Sequence, residues 1–127
     1  VDDRESQAAT RFEQRLSVLR SDLSALGGDR LIRDVLLSAR RVEFALAETR
    51  ALLEGNMTVL FGDESPEARH QLSNWLDHAR EQLRRALSEE HDVDTIRQRL
   101  TVAVALTDMV VQRMREKMED LRSKNLL

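Results

Sequence analysis

The sequence predicts an all-α fold, an antiparallel up-down-up-down four-helix bundle, and three observations carry that expectation. Apolar residues recur at alternating steps of three and four through four segments, the period that gathers one face of a helix. Capping and turn residues separate the segments. The segments are similar in length, and short connections between the first and second and between the third and fourth force antiparallel neighbours. The 127 residues are read as one domain, 1–127, with helices expected over about 4–26, 30–54, 66–90 and 93–124.

In the first segment Phe12, Leu16, Leu19, Leu23 and Leu26 form the seam, and Gly27-Gly28 permits the left-handed backbone that ends a helix. The second opens near Asp29 and follows Ile32, Val35, Ala39, Val42, Leu46, Thr49 and Leu53 to Gly55-Asn56, which reads as its stop. Leu31, Leu36, Leu37, Phe44 and Ala45 widen that apolar face, so the second helix is expected to touch more than one neighbour. Ser65-Pro66-Glu67 starts the third: an N-cap hydroxyl, a proline whose missing N–H does no harm, and an acid against the helix dipole. Its seam is Ala68, Leu72, Trp75, Ala79, Leu83 and Ala86, with Trp75 expected in the core. The fourth opens near Asp92 to Asp94 and repeats Ile96, Leu100, Ala103, Thr107, Val110, Met114, Lys117 and Leu121 in an a/d heptad pattern. Thr101 to Leu106 alternates like a strand, but the helical period on both sides outweighs so short a run. The pairs Arg115 with Glu119 and Asp120 with Lys124 suit either a solvated stem or a coiled-coil continuation.

Composition narrows the function classes. The chain has no cysteine, which excludes thiol catalysis, cysteine zinc sites and covalent haem attachment. A net charge of -3 removes the bulk attraction of a general nucleic-acid binder. Only two of the 20 basic residues, Lys117 and Lys124, are lysine, and no arginine cluster is interleaved with aromatics. The longest nearly uncharged run, Thr101 to Val111, falls short of the ~20 residues a membrane span needs, so a soluble chain is expected. The cytoplasm is the favoured compartment, or the periplasm for a sensor fragment; Val1 in place of Met leaves open a processed precursor, an excised fragment or an unusual start.

Three constellations resemble catalytic families. Glu64-x-x-Glu67 with Glu89-x-x-Asp92 is similar to the paired carboxylates of MazG-type nucleotide pyrophosphohydrolases, a resemblance that implies magnesium held by four acids. One unbroken helix would set the two pairs more than ~30 Å apart, beyond the reach of a shared ion. Arg85 and His91 have a spacing that resembles the Arg-to-His motif of HEPN-type ribonucleases, which implies RNA cleavage at a dimer cleft; Ala86 stands where that family carries a polar residue. His70-Gln-Leu-Ser-Asn74 resembles the phosphoacceptor frame of histidine kinases and phosphotransfer domains, which implies phosphate transfer at His70; Gln71 replaces the usual acid, and the Lys-Gly after the histidine is missing. Glu67-x-x-His70 has the spacing of a bundle metal motif, but a di-iron site needs two, and neither His78 nor His91 has a Glu three residues before it. Each residue also has an ordinary place on a solvated helix surface.

Thr49 and Thr107 interrupt apolar seams, where a helical threonine can satisfy its hydroxyl on the preceding turn. Met109, Met114 and Met118 form a soft stripe that fills core gaps or meets an adaptable partner. Met57-Thr-Val-Leu-Phe61 reads as an apolar insertion in the connection after the second helix, either a plug across the bundle end or an exposed patch. Met57, Val59, Leu60 and Phe61 are therefore the candidate partner-binding residues. The expected function is non-enzymatic: a helical binding or regulatory module of bacterial type that engages a partner protein or a second copy of itself, with no catalytic residues, no metal and no cofactor. The alternative is an extracytoplasmic four-helix sensory domain of a transmembrane receptor; a phosphotransfer domain or a HEPN-like ribonuclease stands behind it.

Overall fold

The computed structural model describes residues 3–25, 35–88 and 92–126. They form four helices, α1 (Asp3–Ala25), α2 (Val35–Phe61), α3 (Pro66–Ser88) and α4 (Val93–Ser123). Arg50 of α2 bonds to Asp77 of α3 at 2.8 Å, Arg99 of α4 to Gln82 of α3 at 3.1 Å, and Arg122 of α4 to Glu13 of α1 at 2.7 Å. Phe12 and Leu60 line one hollow between α1 and α2, and Asp22 and Arg41 line another. Early residues of each helix thus meet late residues of the next, which makes the bundle antiparallel, up-down-up-down. α2 and α4 each pack against the other three helices, while α1 and α3 occupy the far corners of a rhombic cross-section.

One core runs the length of the bundle. Phe12, Leu16, Leu19 and Leu23 bury the predicted stripe of α1. On α3 the buried series is Leu72, Leu76, Ala79, Leu83 and Ala86, with Trp75 only half-buried against the core. The seam therefore passes through Leu76, which keeps the three-four period, and not through the neighbouring indole as expected. On α4 the seam shifts after Met114 to Met118, and Lys117 reaches sideways to acids instead of filling the core.

The helix ends follow local chemistry. The Ser65 hydroxyl accepts from the Ala68 N–H at 3.1 Å, and the Asp92 carboxylate accepts from the Thr95 N–H and hydroxyl. After α4, Asn125 adopts φ 56° while Leu126 N–H bonds to the Leu121 carbonyl and Asn125 N–H to that of Arg122. This is a Schellman stop, with asparagine in the left-handed position usually held by glycine. The expected Gly27-Gly28 stop, the start of the second helix near residue 30, and Leu26, Asp29, Leu31 and Ile32 lie outside the described residues, as do Glu89, Glu90 and His91.

Candidate functional site

The structure relocates the predicted partner-binding segment. Met57, Val59, Leu60 and Phe61 are not in a connection; they form the last two turns of α2, which continues through Gly55-Asn56 instead of stopping near residue 54. A glycine inside a helix costs only about 1 kcal/mol, and Asn56 donates its side-chain amide to the Leu52 carbonyl at 2.9 Å, in step with the helix. Leu53, Met57 and Leu60 also continue the seam by steps of four and three. Leu60 and Phe61 are buried at 2% and 1% exposure, Met57 is half-buried, and Val59 alone faces solvent. The segment is not a plug laid across the bundle; Val59 and Leu60 instead border a hollow shared with Ala8, Phe12 and Leu126.

Of the residues carrying the three catalytic resemblances, Glu89 and His91 lie outside the described residues. α3 runs unbroken from Pro66, so Glu67 at its start is separated from its far end by ~32 Å at 1.5 Å per residue. Arg85 is held by Glu81 at 3.2 Å on its own helix. That contact, with a stronger one from Arg84, depresses the Glu81 carboxyl to about 2, the Arg84 hydrogen bond being the largest cause. His70 stands exposed near the start of α3, with Asn74 half-buried one turn on. Among the described residues no three acids or histidines approach closely enough to hold a metal ion. Thr49 and Thr107 are buried, and each donates its hydroxyl to the carbonyl four residues back, Ala45 and Ala103, at 2.7 Å. Met114 and Met118 lie in the core and Met109 is exposed.

What the structure does bring together is a face made by α1 and α2. Phe44 is 66% exposed and Val18 is 59% exposed, and both line the groove between the two helices. On one side of Phe44 lies a hollow of about 360 Å³ bordered by Arg11, Arg15, Val18, Asp22 and Glu48. On the other side a hollow of about 350 Å³ is bordered by Asp22, Ala25, Arg40 and Arg41. The two helices carry the same spacing outward: Arg15-x-x-Val18-x-x-x-Asp22 on α1 and Arg41-x-x-Phe44-x-x-x-Glu48 on α2. Residues three, four and seven apart share a helix face, so each helix presents arginine, apolar residue and acid in a line.

The charges of this face are mixed, with Arg11, Arg15, Arg40 and Arg41 beside Asp22 and Glu48. Arg50, Arg85, Arg97, Arg113, Arg115 and Arg122 each hold an acid within 4.0 Å. Among the described residues no such pair involves Arg15, Asp22, Arg41 or Glu48; the first three are exposed and Glu48 is half-buried. The opposite case is Lys117, whose ammonium sits 3.0 Å from both Asp63 and Glu64. Its hydrogen bond lowers the Asp63 carboxyl below its usual value. Burial pulls Lys117 itself down, but the bonds to Asp63 and Glu64 outweigh that and hold it above its usual value.

Sequence reasoning missed this face because Phe44 and Leu37 were counted toward a widened apolar stripe, whereas both are exposed. The overlooked signal is in the neighbours. Arg40, Arg41 and Glu48 stand four before, three before and four after Phe44, the positions that share its helical face, and Gln14, Arg15 and Asp22 surround Val18 in the same way. A large apolar residue ringed by charges at those offsets belongs to the solvent side. Comparison with protein-family models, curated proteins and solved structures finds no match to this chain.

Proposed function

We propose that the chain is a non-enzymatic helical binding module with a regulatory role, and that it works by engaging another protein chain through the α1–α2 face. The observation that supports this most directly is Phe44, an aromatic side chain left in water between two hollows and framed by charges that have no partner among the described residues. Burying such a side chain stabilises an assembly by roughly 1.5–3 kcal/mol, and aromatic anchors seated in pockets dominate protein interfaces. The catalytic readings have no comparable support. Arg85 is engaged by Glu81, and among the described residues no three acids or histidines gather about a point that could hold a metal ion.

The test replaces Phe44 with the photo-crosslinking residue p-benzoylphenylalanine, in cells of the organism that encodes the chain. The same replacement at His78, exposed on α3, is the control. Adducts to one protein chain, identified by mass spectrometry, are expected from position 44 and not from position 78. Equal labelling from both positions, or none from position 44, overturns the proposal.

A second reading has one specific observation in its favour. The start of α1 and the end of α4 lie side by side, since Ala8 and Leu126 border the same hollow and Glu13 pairs with Arg122. That geometry suits an extracytoplasmic sensory domain held between two membrane-crossing helices. The encoding gene decides it: apolar spans of ~20 residues on both sides support a sensor, and their absence removes it.

A further inference from the structure

We infer that the occupant of the α1–α2 face is a second copy of the chain, packed with α2 against α2 and α1 against α1 in antiparallel fashion about a two-fold axis crossing the helices near Val18 and Phe44. The inference rests on the reading of that face as a docking surface and adds the identity of its partner.

Charge complementarity carries it. Along α2 the order is Arg41, Phe44, Glu48, and the midpoint between the two charges falls half a residue past Phe44. Turning a second copy end for end about that point sets Arg41 against Glu48 of the partner subunit and the reverse, with the two phenylalanines meeting at the centre. Along α1 the order is Arg15, Val18, Asp22, with its midpoint half a residue past Val18, so the same rotation sets Arg15 against Asp22 of the partner subunit. One operation thus matches four ion pairs from charges that have no partner among the described residues, and closes the apolar centre between them. An isologous contact requires a surface that is its own complement, and each helix here satisfies that condition separately. The hollows on either side of Phe44 leave room for the partner's ring beside its own.

Other occupants fit less well. A nucleic-acid backbone would find Asp22 and Glu48 interleaved with the arginines of this face, on a chain whose net charge is -3. A uniformly acidic peptide would meet the same two carboxylates. Two adjacent helices about 10 Å wide and ~35 Å long offer on the order of 700 Å², near the ~800 Å² per partner of a standard interface. With so few apolar side chains at its centre, the dimer dissociates at about micromolar concentration.

Sedimentation velocity across that range tests the inference, using the parent, Phe44→Ser, Arg41→Glu, Glu48→Arg and an equimolar mixture of the two charge variants. All of these positions are solvent-facing or half-buried, and circular dichroism at each step verifies that helicity is retained. The parent is expected to dimerise. Each single charge reversal sets like charges against each other and weakens association by about tenfold or more. The mixture restores it, because glutamate at 41 then faces arginine at 48, and glutamate at 48 faces arginine at 41. A parent that remains monomeric, single variants that dimerise as well as the parent, or a mixture that stays dissociated each overturn the inference. Adducts from position 44 to a different protein, with a monomeric parent, would keep the docking face and remove the second copy; no adducts at all would remove both.

Discussion

Phe44 and Leu76 show how little hydrophobicity alone decides about one side chain. Both fall in apolar-rich stretches of helix, yet Leu76 is fully buried and Phe44 stands in water. The difference is legible in the residues one turn away: Leu72, Ala79 and Arg80 around Leu76, against Arg40, Arg41 and Glu48 around Phe44. Glycines were misread for a related reason, since composition does not tell a helix interior from its end. Gly55 lies exposed inside α2, and a Cβ there would meet nothing within 4 Å. Gly55→Ala is therefore expected to stabilise the chain by about 0.8–1 kcal/mol, the helix-propensity difference. Gly62 is the true stop. Its N–H bonds to the Thr58 carbonyl, and a Cβ there would sit 2.4 Å from the same oxygen. Gly62→Ala must displace the end of α2 and is expected to destabilise by about 1–3 kcal/mol. Urea unfolding of both variants checks the opposite signs, and a destabilised Gly55→Ala would refute the account of that site.

At the scale of elements, the four helices could be read from the sequence because their period repeats over many turns, and their starts because Ser65 and Asp92 supply caps. The end of α2 was not legible, since it turns on whether the seam after Gly55 finds neighbours to cover it, and only the tertiary packing of Leu60 and Phe61 supplies them. That end is fastened by charge as well. Lys117 and Arg113 of α4 bind Asp63 and Glu64 of the turn that joins α2 to α3. Asp63 is lowered by the Lys117 hydrogen bond, so it adds stability above its unfolded pKa of about 3.9, and that contribution fades as pH falls through the lower folded value. Lys117 is raised despite its burial, so its contribution is complete below an unfolded pKa of about 10.4 and is lost as pH rises through the folded value. Replacing Lys117 with Met keeps the stem and removes the ammonium. We expect the variant to melt about 2–4 °C below the parent near pH 7, and the gap to narrow both toward pH 2 and above pH 11. A gap that stays constant across that range would assign the role of Lys117 to packing alone.

For the whole molecule, the two functional readings make opposite demands on how two copies sit together. The α1–α2 face allows two rotations that join its charges. In one, the axis crosses the helices and pairs like helices antiparallel; in the other, the axis follows the helices and sets Arg15 against Glu48 of the partner subunit. The first sends the adjoining chain ends of the two copies in opposite directions. The second keeps all four ends on one side, as two sensors planted in a single membrane require. Periodicity could not have separated these, because both bury the same residues. Gln7 on α1 is exposed and lies 11 positions before Val18, so it stands ~17 Å along the helix from the axis of the antiparallel dimer. Spin labels placed there are expected ~33 Å or more apart in that dimer, against about 20 Å or less when two neighbouring helix pairs face each other in parallel. Measured by electron–electron double resonance on the associated parent, the longer distance excludes a shared membrane face and leaves a free-standing binding module, whereas the shorter one overturns the antiparallel dimer and restores the sensor.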